Sequence, residues 1–351
     1  MLAIKKENLT KFFDFLMQSG HDVYAPICDG ELVNFERFTD ANVDGLDLET
    51  LKTVRSPKDF FFPQVENLFD ATQEGKAIQI EAAPVVDKPF VIFGIRPCDI
   101  KAIHILDSVY LADPVDKFYQ ARREQGVLIS LACANPQPTC FCKAFGIDAA
   151  SPEADIAAWQ IGDTIHLQAQ SEKGAELLKK VCPNHLIEEV GNDGEADIKA
   201  QQKEIREKID TLPYSNGLPL EKLVPNHLLE LFDAPQWDDL HKTCIACGTC
   251  TFICPTCQCY DIKDFTAGAK IKRFRCWDSC MYSDFTQMAH GNPRQTQKER
   301  FRQRFMHKLV YFPDKNNGEF ACVGCGRCVA KCPSSLNIIK VIKSFGVDSN
   351  V

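Results

Sequence analysis

The sequence predicts an α+β fold in three parts, and three observations support this division. Short β-rich runs alternate with helical patterns over residues 1–190, as in an α/β domain. Helical patterns without β-rich runs fill the linker and helices at 191–243. Cysteines are concentrated in residues 244–351, which hold 12 of the 18 in the chain. We expect this last part to be a small cysteine-organised domain with a long insertion at 255–321.

The N-terminal domain is predicted from two β-rich runs that each lead to a cysteine. The run FVIFGI at 90–95 is followed by Pro97 and by apolar residues at helical spacing, so a strand should pass directly into a helix. The run GVLISLAC at 126–133 is the second. Both runs would place a cysteine, Cys98 or Cys133, on a loop at a strand end, where functional sites usually lie.

A helix is also predicted directly after an acidic linker at 188–197. Ile198, Ile205 and Ile209 share one helical face, and Glu204 lies one turn before Lys208, which favours an ion pair. The remaining predicted elements are a strand near 164–168, a helix near 173–181, an exposed acidic linker at 188–197 and helices over 221–243.

Composition and charge exclude several classes of protein. A hydrophobic content of 45% and a charged content of 25% are typical of a folded globular chain. The net charge of −8 gives no support to nucleic-acid binding, and no apolar run reaches the roughly 18 residues of a membrane span. We see no secretory signal, so clustered cysteines in a chain of this length favour metal binding over disulfides.

Two copies of one cysteine motif carry the main functional signal. Each is C-x2-C-x2-C-x3-C followed by proline, which is the spacing of the [4Fe–4S] runs of bacterial two-cluster ferredoxins. Each cube needs four thiolates, and the fourth cysteine of each run binds the other cluster. We therefore expect a two-cluster ferredoxin-like domain with crossed ligands: Cys244, Cys247, Cys250 and Cys332 for the first cluster, and Cys322, Cys325, Cys328 and Cys254 for the second.

Zinc is the alternative metal at these motifs, although zinc sites usually have paired C-x2-C arms. Three glycines within the motifs, Gly248, Gly324 and Gly326, are expected to let the main chain approach a cube closely. Main-chain N–H groups directed at sulfur would then help to set the reduction potential.

Two further groups of four cysteines are candidate metal sites. The N-terminal group could hold a third [4Fe–4S] cluster, with Arg96 and Lys143 balancing its charge, and the insertion group could hold a fourth. The alternative for both is buried thiols. Cys28 and Cys182 have no partners at an informative spacing and are predicted to be core thiols. The N-terminal group is Cys98, Cys133, Cys140 and Cys142, and the insertion group is Cys257, Cys259, Cys276 and Cys280.

The insertion is basic, with 12 Lys and Arg against 7 Asp and Glu. Residues 299–310 predict an amphipathic helix with an apolar stripe of Phe301, Phe305 and Leu309. A basic stripe at the same spacing is either a solvated face, a docking surface for an acidic redox partner, or a counter-charge for the clusters. That stripe consists of Arg300, Arg304 and Lys308.

Over residues 94–332 the chain resembles a known family, which comprises the iron–sulfur β subunits of soluble sulfhydrogenases and the corresponding iron–sulfur subunits of anaerobic sulfite reductases. The sequence departs from the expected pattern at Gln258, where Phe141 suggests an aromatic residue between two cysteines. The segments that carry the resemblance are GIRPCDIKAI at 94–103, Cys133 with Cys140-Phe141-Cys142, CPTCQCYD at 254–261, WDSC at 277–280 and CVGCGRC at 322–328.

The resemblance implies an electron-transfer protein of an anaerobic cytoplasm, working within a multi-subunit complex. It would pass single electrons between a partner that binds flavin and NAD(P)H and a catalytic redox partner of the hydrogenase, sulfite reductase or heterodisulfide reductase type. The sequence contains no G-x-G-x-x-G, P-loop or G-x-S-x-G motif, which fits nucleotide binding on another chain. The alternatives are an iron–sulfur enzyme with its own redox site in the N-terminal domain and a structural zinc scaffold.

Overall fold

A computed structural model describes residues 1–50, 52–85, 88–181, 186–223 and 228–346. The chain divides into two compact units, each built from separate segments. Unit 1 consists of Met1–Pro57, Asp87–Gly217 and Val323–Arg327. Unit 2 consists of Lys58–Val86, Leu218–Cys322 and Cys328–Val351. The α+β prediction is confirmed, and the three-part division of the chain stays a prediction.

The strands of the described residues form two sheets. They are β1 (Leu2–Lys5), β2 (Asp22–Asp29), β3 (Leu32–Arg37), β4 (Val65–Glu74), β5 (Ala77–Ala82), β6 (Phe90–Ile95), β7 (Gly126–Leu131), β8 (Ile156–Ile161), β9 (Thr164–Ala169), β10 (Glu188–Glu189), β11 (Tyr260–Ala267) and β12 (Lys270–Trp277).

The helices are short except for those that cover the larger sheet. They are α1 (Leu9–Gln18), α2 (Pro97–Tyr110), α3 (Lys117–Gln125), α4 (Glu172–Val181), α5 (Asn192–Asp210), α6 (Leu228–Phe232), α7 (Trp237–Leu240), α8 (Thr249–Phe252), α9 (Gln297–Met306), α10 (Phe312–Lys315), α11 (Arg327–Ala330) and α12 (Ile338–Ser344). A π-helical turn, His307–Tyr311, joins α9 to α10. No described helix is long and apolar enough to cross a membrane.

Unit 1 is built on an eight-stranded mixed sheet in the order β10-β1-β9-β8-β7-β6-β2-β3. Its central strands β2, β6, β7 and β8 pair in parallel. Strands β6 and β7 are apolar apart from Ser130, and every residue in both is buried. This pattern is typical of parallel strands, because helices cover both faces of such a sheet. Helices α2 and α3 connect β6 to β7, so the ends of these two strands lie at one edge of the sheet.

The two faces of this sheet have separate cores. On one face, α1 and α4 cover a large aliphatic and aromatic core that includes Phe12, Phe13 and Leu177. A second core contains Trp159 and the three buried isoleucines of α5, with Cys98 and Cys133 packed at its border. The predicted Ile198, Ile205 and Ile209 face is therefore confirmed, and Lys208 pairs with Glu204 at 2.8 Å.

Unit 2 contains a four-stranded antiparallel sheet in the order β11-β12-β4-β5. Strand β12 of the insertion pairs with β4, which precedes it by about 200 residues along the chain. Buried Arg275 of β12 donates to the Glu66 carboxylate of β4 at 2.6 Å, which fixes this pairing in the protein interior. Nothing in the cysteine spacing predicted that residues 65–82 join the insertion.

Several predicted elements agree with the structure, and three predictions do not. The strand at 90–95 and the helix that begins at Pro97 have the predicted bounds. The predicted linker at 188–197 is wrong, because β10 pairs with β1 and α5 already begins at Asn192. Helices over 221–243 are limited to α6 and α7 in the described residues. Cys28 is exposed rather than buried, and Cys182 lies outside the described residues.

Candidate metal centres

The four cysteines predicted to hold the first cluster line one cavity in unit 2. This cavity has a volume of ≈ 420 Å³, counted with its open mouth. Phe301, Phe305 and Met281 form apolar walls, and Arg304 is the charged side chain in the lining. An apolar wall excludes water from a metal site and lowers the local dielectric constant, so electrostatic interactions there become stronger. The cysteines in the lining are Cys244, Cys247, Cys250 and Cys332.

Left-handed main-chain conformations bend the first motif around this cavity. Ala246 and Gly248 have φ angles of 54° and 73°. A Cβ at Gly248 would lie 2.5 Å from the hydroxyl of Tyr282, which itself donates to the Cys247 carbonyl. Hydrogen bonding with Thr249 lowers the pKa of the exposed Cys247 thiol, whereas burial raises the pKa of Cys250. The loop therefore offers one accessible and one buried sulfur to the same cavity.

The four cysteines predicted for the second cluster belong to different units. Cys254, Cys322 and Cys328 lie in unit 2, and Cys325 lies in unit 1 with the segment Val323–Arg327. Within unit 2, Lys308 acts electrostatically on both Cys254 and Cys322. Arg304 acts on Cys254 and Cys328. Cys254 thus lies near both cations, whereas Cys322 lies near Lys308 and Cys328 near Arg304.

The insertion cysteines do not all come together. The thiols of Cys254 and Cys257 hydrogen-bond to each other, as do those of Cys259 and Cys280. In each pair the shared proton lowers the pKa of one thiol, which is about 7 for Cys259, and raises the pKa of its partner.

Cys276 is separate from this group, although it was predicted to share a site with Cys257, Cys259 and Cys280. It lies on β12 opposite Asp261 and Val65. The charged groups that act on its thiol are Lys263, Asp261 and Asp278. A C-x3-C spacing does not place both sulfurs on one side here, because Cys276 still belongs to a strand and Cys280 follows the strand's end.

In contrast, the N-terminal cysteines are gathered at the sheet edge where β6 and β7 end. Cys98 is the second residue of α2, and Cys133 follows β7. Arg96 is buried next to Cys133 and Cys98, and it donates to the carbonyls of Ala132, Leu48 and Thr50.

The thiols of this group are close enough to affect one another. The charge of Cys140 contributes to raising the pKa of Cys133 and of Cys142, and the charge of Cys142 does the same for Cys98. Burial raises the pKa of Cys133 to about 12, despite the opposing Arg96 charge. Burial also raises the pKa of Cys98 and of Cys142. These thiols are therefore neutral unless a positive group such as a metal binds them.

A segment of the second motif, Val323–Arg327, lies directly against the N-terminal cysteines in unit 1. The Phe141 N–H donates to the Gly324 carbonyl at 2.8 Å, and the Cys140 sulfur lies 3.9 Å from the Cys325 carbonyl oxygen. Gly324 and Gly326 have positive φ angles, and a Cβ on Gly324 would lie 2.4 Å from the Phe141 carbonyl oxygen. The two glycines allow this main-chain packing.

A buried ion pair fixes the same segment. Arg327 donates to both carboxylate oxygens of Asp99, at 2.5 and 2.8 Å, and to the carbonyl and hydroxyl of Thr53. The Arg327 and Asp99 side chains are 3% and 1% exposed. We did not predict these two residues as site residues. Each is adjacent to a candidate cysteine, Arg327 between Cys325 and Cys328 and Asp99 after Cys98, and that position was the available signal.

Over the described part of the chain, no three or more His, Cys, Asp or Glu side chains are arranged to hold a single metal ion. A [4Fe–4S] cluster spreads its four thiolates over four irons, so its ligands need not converge on one metal ion. The first set fits best, because its four sulfur-bearing residues surround one cavity.

Known proteins resemble the C-terminal part of the chain in one comparison and nearly the whole chain in another. Residues 243–336 match the model of a 4Fe-4S dicluster domain. Over 344 residues the chain is 32% identical to the Sulfhydrogenase 2 subunit beta of Pyrococcus furiosus, and the match covers 97% of both chains. The match extends over the N-terminal cysteines as well as the dicluster domain. The chain therefore belongs to the family of sulfhydrogenase β subunits.

Proposed function

We propose that this chain is the electron-transfer subunit of a multi-subunit oxidoreductase. It would pass single electrons between a partner that binds flavin and NAD(P)H and a catalytic partner of the hydrogenase, sulfite reductase or heterodisulfide reductase type. The observation that carries the proposal is the 4Fe-4S dicluster domain, whose first predicted ligand set surrounds one cavity. The P. furiosus relative is named as a subunit of a sulfhydrogenase, which supports a place in a complex.

We assign the ligands as the ferredoxin spacing predicts. Cys244, Cys247, Cys250 and Cys332 would hold one cluster, and Cys322, Cys325, Cys328 and Cys254 a second. When bound, such clusters accept and release one electron at a time. The protein supplies an apolar wall at Phe301 and Phe305 for the first set. Buried Arg304 lies near cysteines of both sets, and buried Lys308 lies near cysteines of the second set.

We further propose the N-terminal group, Cys98, Cys133, Cys140 and Cys142, as a third cluster site. Its thiols converge at one sheet edge, and the buried Arg96 guanidinium provides a compensating positive charge. Within unit 1, Cys325 of the second motif lies near this group, because the segment Val323–Arg327 packs against it. For the insertion, Cys257, Cys259 and Cys280 are the remaining candidates for a fourth site, and Cys276 is not among them.

The alternative, an iron–sulfur enzyme with a reactive thiol in the N-terminal domain, has less support. A catalytic thiol needs a lowered pKa and access to substrate. Burial instead raises the pKa of Cys98, Cys133 and Cys142. Such thiols suit metal binding, in which the metal displaces the proton.

The deciding experiment counts iron and acid-labile sulfide in anaerobically purified protein and records electron paramagnetic resonance (EPR) spectra after reduction. With four irons per cube, two ferredoxin-type clusters give about 8 irons per chain, and a third gives about 12. We expect about 12. Zinc without iron would overturn the proposal.

A matched pair of variants tests the ligand assignment. Cys332→Ser removes a proposed ligand, so we expect loss of one reduced-cluster EPR signal and up to about four irons per chain. Cys276→Ser changes a cysteine outside the gathered thiols and should retain the iron content of the parent. An equal loss of iron in both variants would contradict the assignment.

A further inference from the structure

Two cations of the insertion are buried, although the basic stripe they belong to suggested an exposed face. Arg304 is 3% exposed and Lys308 is 4% exposed. They lie four residues apart, on α9 and on the π-helical turn that follows it, so both project from the same side of the helix. A solvated-face interpretation is therefore wrong for these two residues.

Neither cation pairs with a carboxylate among the described residues. The Lys308 ammonium donates to the Thr256 hydroxyl at 2.7 Å and to the Ala321 carbonyl at 3.1 Å. An Arg304 Nη donates to the Cys250 carbonyl at 3.5 Å, and its Nε has no hydrogen-bond partner. All of these acceptors are neutral.

Other buried cations of the chain show the usual solution. Arg275 is paired with Glu66, and Arg327 with Asp99. Burial of a charge without an opposite charge is strongly unfavourable. The surroundings of Arg304 and Lys308 therefore require an anion that the carboxylates do not provide.

The groups around these cations are thiols of both ferredoxin motifs. Three contacts place both cations among these cysteines. Arg304 donates to the Cys250 carbonyl, and Lys308 donates to the Thr256 hydroxyl and to the carbonyl of Ala321, which precedes Cys322. The cysteines concerned are Cys250, Cys254, Cys257 and Cys328 for Arg304, and Cys254, Cys257 and Cys322 for Lys308.

We propose that Arg304 and Lys308 are the built-in counter-charges of the two ferredoxin-type clusters and raise their reduction potentials. The proposal rests on the proposed function, since it requires clusters at these thiols. A cluster gains one negative charge on reduction, and a fixed buried cation stabilises that added charge strongly because the local dielectric constant is low. The two residues thus act by position and charge rather than by contact with a substrate.

The test is an EPR-monitored redox titration of the full chain with its clusters bound. Lys308→Gln removes the charge but keeps an N–H donor for Thr256 and Ala321. We expect its reduced-to-oxidised ratio at a fixed applied potential to fall at least about tenfold, which corresponds to a shift of ~59 mV for a one-electron couple. Lys308→Arg retains the charge and should keep the parental potential.

Arg300→Gln is the matched control on the same helix. The Arg300 guanidinium donates to the main-chain carbonyls of Arg294 and Gln295. Its potential should equal that of the parent. A shift as large as that of Lys308→Gln would overturn the proposal, because any lost cation would then have the same effect.

Iron content separates failure of this proposal from failure of the proposed function. An unchanged potential in a Lys308→Gln protein with full iron would overturn the counter-charge role alone. Loss of iron in Lys308→Gln that Lys308→Arg restores would support it, because the charge is then what the cluster requires. Loss in both would overturn it in favour of a purely steric role. A parent chain without iron would refute the proposed function itself.

Discussion

The Asp99–Arg327 ion pair gives the sharpest test of how unit 1 holds its segment Val323–Arg327 of the second cysteine motif. Both side chains are almost fully buried, and two hydrogen bonds of 2.5 and 2.8 Å join them. Removal of one member leaves an uncompensated buried charge, which costs about 3–5 kcal/mol. We therefore expect Asp99→Leu and Arg327→Met each to destabilise the unit by about that amount.

The double variant should be more stable than the sum of the two single losses predicts. With both charges gone, two apolar side chains fill the site, and such replacements are often nearly neutral. The Thr53 carbonyl still loses its hydrogen-bond donor, so we expect a residual cost of about 1 kcal/mol. The two single losses would add up to at least about 6 kcal/mol, so the coupling energy between the two positions should reach about 5 kcal/mol or more.

The assay is anaerobic thermal denaturation of parent, single and double variants at one scan rate. For a unit of this size, each kcal/mol corresponds to about 2–4 °C. The single variants should lose roughly 6–20 °C and the double variant only a few degrees, by the same conversion. Additive losses in the double variant would refute the argument, since the pair would then contribute no mutual stabilisation.

Two further predictions follow from the backbone and from a buried histidine. Gly326→Ala should lower the free energy of unfolding by about 1–3 kcal/mol more than Gly146→Ala does. Its melting temperature should therefore be the lower of the two. Both glycines have positive φ, but only at Gly326 would a Cβ lie 2.2 Å from a carbonyl oxygen, that of Thr139; equal losses would contradict the packing. Burial, with the neighbouring charges of Lys308 and Arg294, lowers the pKa of His307 to about 4. The unfolded chain then binds more protons, so stability should fall as pH drops from about 6.5 towards 4, by at most about 1.4 kcal/mol per unit. His307→Gln should flatten the melting temperature between pH 7.5 and 5.5, and identical slopes would disprove this assignment.

Sequence patterns predicted the local elements that position the N-terminal cysteines. The run at 90–95 is apolar without alternation, which indicates a strand buried on both faces, and Pro97 marks the first turn of the next helix. Parallel neighbours end at the same sheet edge, so the convergence of Cys98 and Cys133 follows from two local signals. The amphipathic pattern of α5 was equally informative, because its three isoleucines share one helical face and all three are buried.

The sequence contains no comparable signal for the pairing of strands that are distant along the chain. Strands β5 and β11 are exposed along their whole length, so their apolar residues, such as Ile78, Ile80 and Ile262, do not mark a buried face. Their sheet depends on β4 meeting β12 across a large sequence separation, through Glu66 and Arg275. A pair of opposite charges in distant segments cannot be recognised among the many charged residues of one sequence. For the same reason, the ion pair between Asp99 and Arg327 could not be predicted from the sequence.

The two ferredoxin motifs have identical spacing but different surroundings, and this difference bears on function. Around the first motif, Cys247 and the neighbouring Ile245 are exposed. In the second motif, Val323 and Cys325 are buried, and Arg327 is paired with Asp99. Reduction potentials of such clusters depend on solvent exposure, net charge and hydrogen bonds to sulfur. Equal ligands therefore do not imply equal potentials, and the residues that make two repeats unequal lie between the cysteines and in the segments packed against them.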